Sequence, residues 1–160
     1  MEQSASMCVS TVLDDVADAL QDYARLRSDP NVSHSKQTCQ DALDDLWVYL
    51  RSLDTSTAHD AVETVARESN RWLAQHKSRR ESMRHDESAL QRTIRELERA
   101  VLGCRQGRMS RTRRMRLQKR LSTEQDTLRD VRERIDQLEW DACLHEEIVR
   151  TCRSELLPNL

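Results

Sequence analysis

From Leu117 to Leu156 the chain repeats in alternating steps of four and three: Leu117, Leu121, Glu124, Leu128, Val131, Ile135, Leu138, Ala142, His145, Val149, Cys152 and Leu156. Only Glu124 and His145 in this series are polar. A spacing that averages 3.5 residues holds one stripe on one face of an α-helix, and a stripe this long predicts a coiled-coil seam. Reading back from Cys104 in the same steps gives Val101, Leu97, Ile94 and Leu90, then the polar stretch Glu87, Met83 and Arg80, then Leu73, Ala66 and Val62.

Composition closes off the alternatives. The chain is 37 % hydrophobic, 34 % charged and 3 % aromatic, with two glycines, two prolines and no phenylalanine. A sandwich or barrel needs many turns and a supply of aromatic and β-branched residues. A doubly wound nucleotide fold needs a glycine-rich turn between strand and helix, and no such turn exists here. The expected class is all-α.

Proline and glycine divide the chain around Ser28-Asp29-Pro30-Asn31, around Asp54-Thr55-Ser56-Thr57 and from Gly103 to Gly107. Four helices are predicted over about 10–28, 35–53, 57–102 and 109–156. The first carries Val12, Leu13, Val16, Leu20, Tyr23 and Ala24 on one stripe, and the second Cys39, Ala42, Leu43, Leu46, Trp47, Leu50 and Leu53. The seam before the glycines is one residue out of phase with the seam after them. A turn accommodates that slip, whereas a continuous helix would need a skip, so the last two helices are expected to form an antiparallel hairpin. Positions 97 and 117 should then lie close together. Trp140, Leu144 and Ile148 form a second stripe beside the seam, and Val65 and Trp72 flank it on the third helix. These extra faces call for a further partner, either the first two helices or a second chain. The expected architecture is an elongated helical bundle, one elongated unit overall. An N-terminal helical hairpin (1–54) packs at the base of a long coiled-coil hairpin (55–160) with a basic tip near 103–120.

Charge is segregated. Residues 1–70 carry a net −8, residues 71–120 a net +11 and residues 121–160 a net −5. Arg105, Arg108, Arg111, Arg113, Arg114, Arg116, Lys119 and Arg120 cluster with no acidic residue among them. Cations at the start of a helix oppose its dipole, and like charges three or four residues apart repel. A bound anion would relieve both penalties, so this tip is a candidate contact for nucleic acid or for an acidic partner. Ser82, Ser110 and Thr112 lie close to basic residues as candidate phosphorylation sites.

The basic stretch running into Leu121, Leu128, Ile135, Ala142, Val149 and Leu156 resembles a basic-leucine-zipper transcription factor over 105–156. In that family one continuous helix enters the major groove, and an asparagine with small neighbours reads bases. RMSRTRRMRLQKR has no asparagine and no alanine pair, so the resemblance implies no base reading. In shape alone, a helical arm with a basic end is similar to the RNA-contacting arm of seryl-tRNA synthetase.

No catalytic constellation is expected. His145-Glu146-Glu147-Ile148-Val149 begins like a zinc-protease helix but has Val149 where the second histidine belongs. Cys143 and His145 lie about 200° apart on a helix and cannot share one ion. Scattered cysteines, odd in number, do not read as a disulfide scaffold. The N-terminal MEQSASMCVS lacks the basic and apolar regions of a signal peptide, and no apolar run of membrane-spanning length occurs. The expectation is an intracellular, non-catalytic interaction or scaffold protein of the cytoplasm or nucleus, part of the cytoskeleton or of a multi-subunit complex. It needs no cofactor, metal or small-molecule substrate. Its partner is a helical protein or a second copy, acting on Leu90, Ile94, Leu97, Val101, Leu117, Leu121, Leu128, Val131, Ile135, Leu138, Val149, Leu156, Trp72 and Trp140. A nucleic-acid binder using the basic tip, largely through backbone phosphates, is the alternative.

Overall fold

A computed structural model describes the backbone of residues 2–28, 35–107 and 110–160, and their side chains except at 2–9, 28, 35, 36 and 104–106. Every described element is helical: α1 (Glu2–Ser28), α2 (Ser35–Ser52), α3 (Thr55–Gln106) and α4 (Arg111–Thr151). A π-helical turn, Cys152–Leu156, and a 3-10 turn, Leu157–Asn159, continue α4. The architecture is a four-helix one, with a long antiparallel α3–α4 pair and a shorter α1–α2 hairpin.

The helix boundaries differ from the sequence expectation in instructive ways. α1 begins eight residues before position 10, where Glu2–Met7 offers no apolar stripe to read. The turn expected at Asp29-Pro30-Asn31 lies outside the described residues. Between α2 and α3 only Leu53 and Asp54 remain. There Asp54 caps α3, accepting the Thr57 N–H at 2.9 Å and the Thr57 hydroxyl. Those two bonds hold the Asp54 carboxyl below the usual carboxylate range. The glycine break also starts later than expected, since α3 runs through Gly103 and turns only at Gly107. A Cβ added at Gly103 would meet nothing within 4 Å, and neither glycine has a positive φ. Gly103→Ala should therefore stabilise the protein by about 0.5–1 kcal/mol, seen as a higher denaturant midpoint.

Two compact units form along the chain, Met1–Gln75 with Asp141–Leu160, and His76–Trp140. The first has one core drawn from all four helices. α1 supplies Val16, Leu20 and Ala24, and α2 supplies Leu46 and Leu50. α3 adds Ala58, Ala61, Val62, Val65 and Ala66, while Ile148, Cys152 and Leu156 close it. Three alanines on α3 let its backbone approach its neighbours closely. Beside this core, Arg27 reaches Glu147 at 3.0 Å and Glu155 at 2.9 Å, and Arg150 joins the same two carboxylates. The hydroxyl of buried Tyr23 donates to Glu155 at 3.4 Å, which ties the end of α1 to the π-helical turn.

Cys152 and Thr151 are fully buried where α4 widens into its π turn. Burial pushes the Cys152 thiol up to about 12, so it is neutral and unreactive in the folded protein. Among the described residues, the Thr151 hydroxyl has no hydrogen-bond partner. A buried hydroxyl without a partner is destabilising, so Thr151→Val should raise the melting temperature, by about 1 kcal/mol of stability.

In the second unit α3 and α4 run antiparallel, pinned by Arg84 on Glu139 and by Arg132 Nε on Glu87 Oε1 at 2.9 Å. Ile94, Leu97, Val101 and Ile135 are buried between them. One member of the polar break in the α3 seam, Glu87, is thereby explained. Glu87 sits on the seam, pairs across it with Arg132, and accepts the Gln91 amide on its own helix at 3.0 Å.

Candidate functional site

Two features of the second unit bear on function. The first is the seam. Leu90 on α3, and Leu117, Leu121, Leu128, Val131 and Leu138 on α4, are all only partly buried. Two helices shield a seam from two sides, and its rim stays open to water. Glu124, the polar member of the α4 frame, is half-sheltered and faces Arg120 at 3.8 Å. Along one flank, Ile94 and Leu128 line a groove of about 370 Å³, edged by Arg129, Arg132 and Asp136.

The second is the basic start of α4. Ser110 caps the helix: its backbone oxygen accepts the N–H groups of Arg113 and Arg114 at 3.1 and 3.2 Å, and its hydroxyl accepts the Arg113 N–H at 3.4 Å. Arg111, Thr112, Arg113, Arg114, Arg116, Lys119 and Arg120 are all exposed. Among the described residues, Arg120 alone of these cations faces a carboxylate, that of Glu124. The side chain of Arg105 and all of Arg108 lie outside the described residues. Ser82 is exposed on α3. Two bulky apolar side chains flank the turn in the open, Leu102 and Met115, at 56 % and 60 % exposure.

The tryptophans divide. Trp72, in the first unit, stacks on His145 with ring centroids 4.4 Å apart, and His145 Nδ1 lies 3.2 Å from Ser69 Oγ. They form one wall of a groove of about 580 Å³ whose other walls include Leu13 and Ala17 of α1 and Ile148 of α4. Trp140, in the second unit, keeps 39 % of its surface exposed. Of the seam residues nearest the C-terminus, Leu156 is buried and Val149 is half-buried. Sequence reasoning passed over one arrangement, on α3: His59, Asp60 and Glu63 bring ligand atoms within 4.8 Å of one another, all exposed. Histidine and glutamate four residues apart share a helix face, which is the signal that could have found it.

No family model, curated protein or solved structure matches the chain. Among the described residues, no helix is long and apolar enough to cross a membrane.

Proposed function

We propose that the chain is a non-catalytic coiled-coil interaction protein, a scaffold within an intracellular assembly of cytoskeletal or multi-subunit kind. The observation that supports this most is the half-sheltered seam of His76–Trp140. A partner helix laid in the groove beside Ile94 and Leu128 would complete its burial, with Arg129, Arg132 and Asp136 setting register at the rim. Helix-on-helix packing of this kind needs no reacting group and no cofactor.

A photo-reactive side chain at Gln125, on the groove, tests the reading in cells. Thr127 is the control, exposed and about 200° further round α4. Cross-links to another polypeptide from position 125, absent from 127 and insensitive to nuclease, are expected. Equal yields from both positions, or none, would contradict it. The second reading, a nucleic-acid contact through backbone phosphates, is favoured by the exposed Arg111, Arg113, Arg114, Arg116 and Lys119, which face no carboxylate among the described residues. It requires binding that weakens steeply with salt and shows little sequence preference.

A further inference from the structure

The basic start of α4 has an apolar centre. On a helix, Arg111, Arg114 and Met115 share one face at spacings of three and four, with Lys119 at its edge, and all four are exposed. A second surface on this chain repeats that pattern with the opposite sign. On α2, Asp41, Asp44, Asp45 and Val48 share one face at the same spacings, turned away from the buried Leu46 and Leu50. Val48 is 70 % exposed, the most open of the large apolar side chains among the described residues. Gln37 and Gln40 donate to Asp41 and Asp44 at 2.9 and 3.0 Å. Among the described residues, no lysine or arginine pairs with any of the three aspartates.

Each surface is unfavourable alone. Arginines crowd the positive end of α4, and aspartates crowd one face of α2. Each also exposes an apolar side chain ringed by one sign of charge, which is the make-up of an interface patch. We propose that these two faces are partners between molecules: the Arg111–Lys119 face of one copy docks on the Asp41–Val48 face of a second copy, setting Met115 against Val48. Because the two surfaces differ, the contact is heterologous: it leaves the acidic face free on one copy and the basic face free on the other, and association can propagate head to tail. This rests on the reading of the chain as a protein that works through its helix surfaces, and it names one partner for them.

The test uses full chains and sedimentation velocity. The wild-type protein should show a weight-average mass that rises with concentration at low salt and falls towards the monomer at about 0.5 M salt, where screening is nearly complete beyond contact distance. The basic-face variant, Arg111→Gln with Arg114→Gln and Lys119→Gln, should weaken association at least about tenfold. So should the acidic-face variant, Asp41→Asn with Asp44→Asn and Asp45→Asn. All six positions are exposed, and circular dichroism checks that both variants stay folded. Mixed together, the two variants should form a one-to-one complex that grows no further, because each supplies the face the other lacks. A wild-type protein that stays monomeric, variants that associate like wild type, or variants that fail to pair when mixed would each overturn the proposal. So would a basic face that binds RNA or an acidic protein while the chain remains monomeric. If self-association fails but position 125 still captures a partner, only this inference falls. If self-association persists while capture at 125 fails, the reading of the preceding subsection falls instead.

Discussion

Leu20→Ala should lower stability by about 3–5 kcal/mol, and Ile148→Ala by a similar amount, read as shifts in the denaturant midpoint of the far-ultraviolet circular dichroism. Leu20 is fully buried and Ile148 nearly so, in the core where α1, α2, α3 and α4 meet. Deleting so much volume removes the transfer term and leaves a cavity that packed helices fill only in part. A domain of this size has only about 5–15 kcal/mol of stability in total, so either change should remove a large share of it. A loss under about 1 kcal/mol for both would mean that these helices do not share one core. The two positions are distant in sequence and meet only in the four-helix packing, which makes the pair a direct probe of how α1 docks.

The second large effect concerns the His76–Trp140 unit. Replacing Leu128 and Ile135 together by lysine should destabilise it by something on the order of 4–6 kcal/mol, because each ammonium displaces apolar contact and loses part of its hydration. Ile135 is 9 % exposed and Leu128 lines the groove beside Ile94. Hydrogen exchange is the suitable measurement, since it reads each segment separately. Amides around 90–101 and 117–135 should lose protection, while those around Leu20 and Leu50 keep theirs. Unchanged protection along the seam would show that the seam does not hold the pair together.

The α4 frame was legible in the sequence because its period is carried by large aliphatic side chains. Over 111–130 the only sheltered positions are Leu117, Leu121, Glu124 and Leu128, four consecutive members of the repeat. The α1 and α2 stripes were legible for the same reason, through Val16 and Leu20 and through Leu46 and Leu50. The α3 share of the core was harder. Ala58 and Ala61 are buried, yet alanine carries too little hydrophobic contrast to mark a face. The early start of α1 left no signal, because the sequence of Glu2–Met7 carries no apolar stripe to read. The π turn was invisible as well, since Val149, Cys152 and Leu156 continue the 4-3 steps as if the helix were regular. Of the candidate surfaces, the basic run was plain in the charge count. The acidic counterpart on α2 was not singled out: it needs the helix face and the exposure of Val48, which composition does not report.

The antiparallel return of α4 along α3 underlies the half-sheltered seam and its groove, and one distance tests it. Ser88 and Arg134 are both exposed, and both lie in the His76–Trp140 unit. The native cysteines would be replaced by serine, except that buried Cys152 takes alanine, and spin labels placed at Ser88→Cys and Arg134→Cys. Dilution with unlabelled protein keeps the reading within one chain. The hairpin predicts a single distance population below about 30 Å, given helices packed about 10 Å apart with labels on their outer faces. A population near 69 Å, roughly the length of a continuous helix between those positions, would contradict it.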